Sequence, residues 1–149
     1  MKFSTKGRYG LQAMLDLAVH NNEGQVVLKS IAQRQGLSEN YLEQLFAALK
    51  KAKLVKSIRG SQGGYSLAKS PENITVGDIL RVLEGPPVST SCSAESGEGC
   101  SSSYNCCVTR TVWSKICEGI DRVADGITLQ QLVADFNSSR KPEENMYSI

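Results

Sequence analysis

The chain has 149 residues, of which 40% are apolar and 21% are charged, and its formal net charge at pH 7 is +2. This composition is typical of a globular protein, and it excludes both a disordered chain and a membrane span of roughly 20 apolar residues. The first residues contain no apolar stretch of the kind that an export signal needs. We therefore expect a cytoplasmic protein with no membrane partner.

The N-terminal part of the sequence predicts two helices followed by a turn. A first helix begins at Ser4 or Thr5 and ends near Asn21, because apolar residues recur between them at helical spacing. A short second helix around Leu28 ends at Gly36, a residue that commonly terminates helices.

A third helix completes a helix-turn-helix motif. Ser38 is a favourable N-cap, and an apolar stripe that includes Leu42 and Leu45 follows it. In such a motif, exposed positions near the start of the second helix reach base edges in the major groove. The candidate DNA-contacting residues of this helix are Ser38, Asn40, Tyr41, Glu43 and Gln44.

The next segment predicts a β-hairpin wing. Two short alternating runs, residues 54–59 and 65–67, flank a glycine-rich tip over residues 60–64, so that the first run ends at Arg59 and the tip begins at Gly60. Glycine at such a tip allows close approach to phosphates, so both residues are candidate DNA contacts. The tip lacks the Gly-Lys-Ser/Thr ending of a nucleotide-binding loop, which excludes that alternative.

Charge is distributed unevenly along the chain. Residues 1–69 contain 11 Lys and Arg against 4 Asp and Glu, whereas residues 70–149 contain 6 against 11. The basic first half predicts a polyanionic partner, double-stranded DNA, and the alternative is a solvated basic face.

The remaining elements define the predicted domain organisation. Thr75 begins a capping box for a fourth helix, and a long helix later in the chain carries Val112, Ile116 and Ile120 on one face. This face is buried either in a homodimer or against its own domain. We predict a winged helix-turn-helix domain over 1–87, a cysteine-rich loop over 88–107, a dimerisation helix and terminal helix over 108–136, and a polar tail over 137–149. The predicted fold class is mainly α with a small β-hairpin wing.

Four of the five cysteines lie within sixteen residues, at Cys92, Cys100, Cys106 and Cys107. Thiolates are soft ligands for zinc, copper(I) or iron–sulfur clusters. Gaps of seven residues between the first two cysteines and five before the third are wider than in zinc fingers, and they favour an iron–sulfur cluster. A reducible disulfide or unliganded thiols are the alternatives.

Two further residues bear on the function class. An enzyme with a catalytic cysteine needs a base, and His20, the single histidine of the chain, is expected at the end of the first helix in a surface or capping role. Cys117 lies within the long helix and is expected to pack as a small apolar residue. We therefore predict no enzymatic activity and no small-molecule substrate.

Several stretches carry a resemblance to a known family. They are residues 1–10, residues 38–46, wing residues 57–60 and 63–65, and residues 107–110 followed by Trp113. The chain resembles the IscR-type regulators, bacterial dimeric winged-helix transcription factors whose relatives include CymR and NsrR, over nearly its whole length to about residue 136. The resemblance implies a dimeric regulator of iron–sulfur cluster assembly genes that binds a 2Fe–2S cluster and a palindromic operator. By position it implies base contacts from Tyr41, Glu43 and Gln44 and a minor-groove contact from Arg59.

The ligand set and the branch of the family stay open at this point. Cys92 and Cys100 are isolated thiols in a loop; the family pattern favours Cys107 as the third ligand, whereas a spacing of five residues favours Cys106. Arg110 stands where the enterobacterial pattern has a histidine, and a guanidinium cannot ligate iron. NsrR-like nitric-oxide or redox sensors are one alternative. CymR-like regulators of cysteine metabolism, which act with a partner enzyme and lack the cysteine loop, are the other.

Overall fold

The computed structural model describes residues 4–61, 63–85 and 104–140, with side chains from residue 108 onward in the last range. The elements in chain order are α1 (Thr5–His20), α2 (Leu28–Gln35), α3 (Glu39–Lys51), β1 (Val55–Ile58), β2 (Gly64–Leu67), α4 (Val76–Glu84), α5 (Tyr104–Asp125) and α6 (Leu129–Ser139). Short 3₁₀ turns lie at Asn21–Glu23 and Pro71–Asn73. The predicted mainly α fold with a β-hairpin wing is confirmed.

The turn between α2 and α3 has the geometry that a helix-turn-helix requires. Gly36 follows α2 with φ 65° and ψ 34°, a left-handed conformation that glycine adopts without steric cost. The next N–H, that of Leu37, donates to the carbonyl of Ala32 at 3.0 Å. Ser38 then caps α3, because its side chain accepts a hydrogen bond from the N–H of Tyr41 at 3.2 Å.

The wing is a two-stranded antiparallel sheet anchored to the helices. β1 and β2 pair with Val55 opposite Leu67 and Ile58 opposite Gly64. Val26, which precedes α2, extends the sheet through two hydrogen bonds with Tyr65 at 2.9 and 2.8 Å. The Tyr65 ring also packs edge-on against Phe46 of α3, with centroids 5.0 Å apart.

Among the described side chains, one apolar core joins all of the helices except α5. Its fully buried large side chains come from α1, α2, α3, β1, α4, α6 and the segment before α4: Met14, Leu17, Ile31, Leu42, Leu45, Phe46, Leu49, Val55, Ile74, Ile79 and Leu129. The contribution of Leu129 shows that α6 belongs to the same core as the winged domain.

The two capping boxes lie side by side, and they dock the C-terminal helices. Thr75 accepts from the N–H of Asp78, and Thr128 accepts from the N–H of Gln131. Between these caps, the N–H of Val76 donates to the carbonyl of Ile127 at 2.9 Å.

Two predicted boundaries need correction, and Ser4 makes a contact that the sequence did not reveal. α5 begins at Tyr104 instead of near 108, because its first turn carries no apolar repeat that could reveal a helix in the sequence. α6 continues past Phe136 to Ser139. Ser4 precedes α1, but its side chain donates to Glu84 at 2.7 Å and does not cap the helix.

Candidate nucleic-acid interface

The start of α3 presents a polar surface. Ser38, Asn40, Glu43 and Gln44 are exposed, as the sequence predicted. Positions 40, 43 and 44 are spaced so that they share one face of the helix, while the apolar side chains of Leu42 and Leu45 enter the core. The face is therefore free to enter a DNA groove.

Tyr41 differs from its neighbours because it is half-buried. Its ring contacts Tyr9 of α1 edge-on, with centroids 6.2 Å apart and planes at 87°. This contact fixes the start of α3 against α1, so the Tyr41 ring contributes to positioning the polar face.

The wing tip places two predicted residues in solvent. Arg59 and Gly60 are exposed between the strands, and Gly60 has φ 131°, which a residue with a side chain rarely adopts. Because β2 is tied to Val26 and Phe46, the tip projects from a fixed base.

Most of the predicted cluster ligands lie in parts of the chain that the structure does not describe. Cys92 and Cys100 lie outside the described residues, and Cys106 and Cys107 lie in the first turn of α5, with their side chains not described. Among the described side chains, no group of three His, Cys, Asp or Glu residues could hold a metal ion. Cys117 is half-buried with a free thiol.

An ion pair between a buried carboxylate and a partly exposed arginine, which the sequence did not reveal, lies beneath the helix-turn-helix. The side chain of Asp16 in α1 is only 3% exposed, and it accepts hydrogen bonds from Arg34 (shortest distance 2.6 Å) and Gln35 (2.9 Å) at the end of α2. Burial raises the pKa of the Asp16 carboxyl, but the hydrogen bonds and the charge of Arg34 outweigh it and hold that pKa below its ordinary value. The sequence held one sign of this ion pair: Asp16 is a charged residue on the apolar, buried face of α1.

A second ionic cluster connects α4 with α5. Arg81 donates to Asp125 at 2.6 Å and reaches Asp78 and Asp121 at 3.3 and 3.5 Å. Hydrogen bonding to Arg81 lowers the pKa of Asp125. Because all of these side chains are exposed to solvent, each pair contributes little to stability.

The outer face of α5 is apolar and open. Val108, Val112, Trp113 and Val123 are 47–66% exposed. A cavity of about 490 Å³ between α4 and α5 continues this surface and is lined entirely by apolar residues and glycine. No described helix is both long and apolar enough to cross a membrane.

Comparison with known proteins identifies the family. The Rrf2 family, described as "Iron-dependent Transcriptional regulator", matches residues 3–135. The chain belongs to the Rrf2 family. Among Rrf2 relatives, the transcriptional regulator CymR of Bacillus subtilis is 48% identical over 136 residues, which are 90% of this chain and 91% of that protein. IscR of Aliivibrio salmonicida is 44% identical, covering 91% of this chain and 79% of that protein.

Solved structures agree with the Rrf2 assignment. IscR of T. potens superposes with a TM-score of 0.78 at 51% identity and covers 99% of this chain and 97% of its own. CymR, the global cysteine regulator of B. subtilis, gives a TM-score of 0.73 at 46% identity and covers 90% of this chain and 97% of its own. These relatives are named regulators, so the predictions of an IscR-type transcription regulator and of a protein that is not an enzyme are confirmed. As an Rrf2 regulator, the chain binds DNA.

Proposed function

We propose that this Rrf2 protein is a dimeric regulator of iron–sulfur cluster assembly genes that senses through a bound 2Fe–2S cluster. The observation that carries the proposal is the set of four cysteines within residues 92–107, the last two of which open α5. The other end of α5 is held by Arg81 of α4 in the winged domain. A change at the cysteines is thereby connected to the DNA-binding unit through one continuous helix.

The donor chemistry fits a cluster. We assign Cys92 and Cys100 as ligands and Cys107 as the third, with Cys106 as the alternative for that position. Arg110 is exposed on α5 and permanently protonated, so it does not supply the fourth ligand. When bound, such a cluster supplies one-electron redox chemistry and a centre that oxidants can remove.

A second candidate, a regulator of cysteine metabolism, is favoured by the 48% identity with CymR. The 51% identity with T. potens IscR over 99% of this chain supports the cluster proposal. Anaerobic purification tests the choice. A brown protein with visible charge-transfer absorption and bound iron supports the cluster, whereas a colourless, iron-free protein that still binds DNA supports the second candidate.

We expect Glu43 and Arg59 to affect DNA recognition differently. Arg59→Ala should weaken operator binding by about 1–3 kcal/mol, because it removes a cation that contacts the minor groove of the DNA. Glu43→Ala should relax specificity more than affinity, because a carboxylate repels phosphate and accepts hydrogen bonds from a restricted set of base edges. Competition binding with operator and scrambled duplexes measures both effects. An equal loss of affinity on every sequence for Glu43→Ala would contradict the assignment.

We also propose that the open face of α5 pairs with its copy in a two-fold homodimer, which would bind a palindromic operator. Val112→Glu places a charge on a side chain that is half exposed in the single chain, and burial of that charge should dissociate the dimer. Sedimentation equilibrium measures the mass. Thr111→Glu, which puts the same charge on a different face of α5, is the matched control and should stay dimeric. An unchanged mass for Val112→Glu would place the dimer contact elsewhere.

A further inference from the structure

A groove at the root of the wing concentrates positive charge. We call it the basic groove: Lys50, Lys53, Lys56 and Arg59 line a surface cavity of about 450 Å³, and none of its seven lining residues is acidic. All four cations are exposed, and none forms an ion pair with another residue in the described parts of the chain. Like charges held together without partners destabilise a fold, so this arrangement suits a polyanionic ligand.

The backbone conformation at Lys53 is an independent indication that the lysine side chain has a binding role. Lys53 has φ 62° and is the one described residue other than glycine with a positive φ. It follows the end of α3, where its N–H donates to Lys50 and the N–H of Leu54 donates to Leu49, both at 3.0 Å. Glycine is the usual residue at this position of such a helix end, because a side chain there is strained. The chain holds a lysine at a site where glycine would be more stable.

We propose that the basic groove binds backbone phosphates of the DNA that flanks the stretch read by α3 and the wing tip. The inference rests on the DNA-binding function. Arg59 belongs both to the wing tip and to the groove, so the two surfaces are continuous. Lysine ammonium groups bind phosphate as point charges without reading bases, so the groove adds affinity and no sequence preference.

The length of α3 explains why flanking DNA is needed. At about 1.5 Å per residue, Lys50 lies roughly 16 Å along the helix from the end that faces the bases. We infer that the phosphates nearest to Lys50 lie outside the stretch that the start of α3 contacts. DNA that continues past the wing and bends towards the protein reaches the basic groove.

The test uses the full chain and an operator selected by the protein from random duplexes. One probe is trimmed to the base sequence that the selection defines, and a second extends about one helical turn (~10 base pairs) further on each side. Dissociation constants are measured against salt concentration for the native chain, Lys53→Gly, the double variant Lys50→Ala/Lys56→Ala, and Lys51→Ala. Lys51 is the matched control, because it is a neighbouring exposed lysine that does not line the groove.

We expect the native chain to show a steeper salt dependence on the long probe than on the short one. Lys53→Gly should reduce the long-probe slope of log K against log salt by about 0.9, because one phosphate is no longer neutralised, and binding should weaken severalfold. Its Tm should stay equal or rise, because glycine relieves the backbone strain. The double variant should reduce the slope by about twice as much, and Lys51→Ala should match the native chain.

Other outcomes overturn the proposal in distinguishable ways. If the native chain selects an operator but the groove variants keep its slopes on both probes, the groove does not contact DNA and the DNA-binding function stands. Equal reductions on both probes would place the contact inside the operator. Native DNA binding by groove variants that no longer bind an acidic peptide would assign the groove to a protein partner. A native chain that selects no operator contradicts the DNA-binding function itself.

Discussion

Arg34→Ala should destabilise the folded chain by about 3–5 kcal/mol at neutral pH, the range measured when one partner of a buried ion pair is removed. Asp16 would remain, with 3% of its side chain exposed and without the cation that compensates its charge. The pair joins α1 to the last turn of α2, directly before the helix-turn-helix turn. Urea unfolding followed by circular dichroism, at one fixed protein concentration, measures the change.

Asp16→Asn should cost less, about 1–3 kcal/mol. It leaves Arg34, whose side chain is 37% exposed and so keeps contact with water, and the asparagine still accepts a hydrogen bond. Lys29→Ala on the same helix is the matched control for removal of an exposed cation and should stay within about 0.5 kcal/mol of the native chain. Equal costs for Arg34→Ala and Lys29→Ala would show that the pair does not stabilise the fold.

The stability of the native chain and that of Arg34→Ala should depend differently on pH. In the native chain the pKa of Asp16 is lowered, so its contribution is complete above the ordinary carboxyl value and is lost as pH falls through the lowered pKa. In Arg34→Ala, the hydrogen bonds and the charge of Arg34 no longer lower that pKa while the effect of burial remains, so we expect the carboxyl to become protonated at a higher pH than in the native chain. The stability difference between the variant and the native chain should therefore shrink as pH falls from neutral.

Much of the fold was predictable because its signals are local. The caps at Ser38, Thr75 and Thr128 are each within three residues of the group they satisfy, and the apolar stripes of α1 and α3 repeat within a few turns. The wing was predictable for the same reason, since its strands are short, alternating and joined by a glycine-rich tip. Pairings between distant residues were not predictable. Asp16 and Arg34 are 18 positions apart, and Arg81 and Asp125 are 44 apart.

The same distinction between local signals and distant pairings applies to the candidate DNA-binding surface. That Asn40, Glu43 and Gln44 are exposed follows from the helical period of α3. The contact between Tyr41 and Tyr9 depends on how α3 crosses α1, which periodicity does not define. The basic groove needed the fold as well, because it brings the end of α3 beside β1, and the positive φ of Lys53 has no sequence signature.

The cysteine series should give the largest change of all, because a cluster is either retained or lost. We expect Cys92→Ala and Cys100→Ala to lose all bound iron after anaerobic reconstitution, since removal of a thiolate leaves too few soft ligands. Visible absorption and iron per chain provide the measurement. Cys117→Ala is the matched control, because that thiol is free, half-buried and well inside α5, and it should keep its iron.

The adjacent pair decides the third ligand. Loss of iron in Cys107→Ala with retention in Cys106→Ala supports our assignment, and the reverse result moves the third ligand to Cys106. Circular dichroism on each iron-free variant separates loss of the cluster from loss of the fold, and the described apolar core of the winged domain draws its residues from positions 13–83 and from Leu129. The helix content of every variant should therefore match that of the native chain. Full iron retention in Cys92→Ala would contradict a cluster held by this segment.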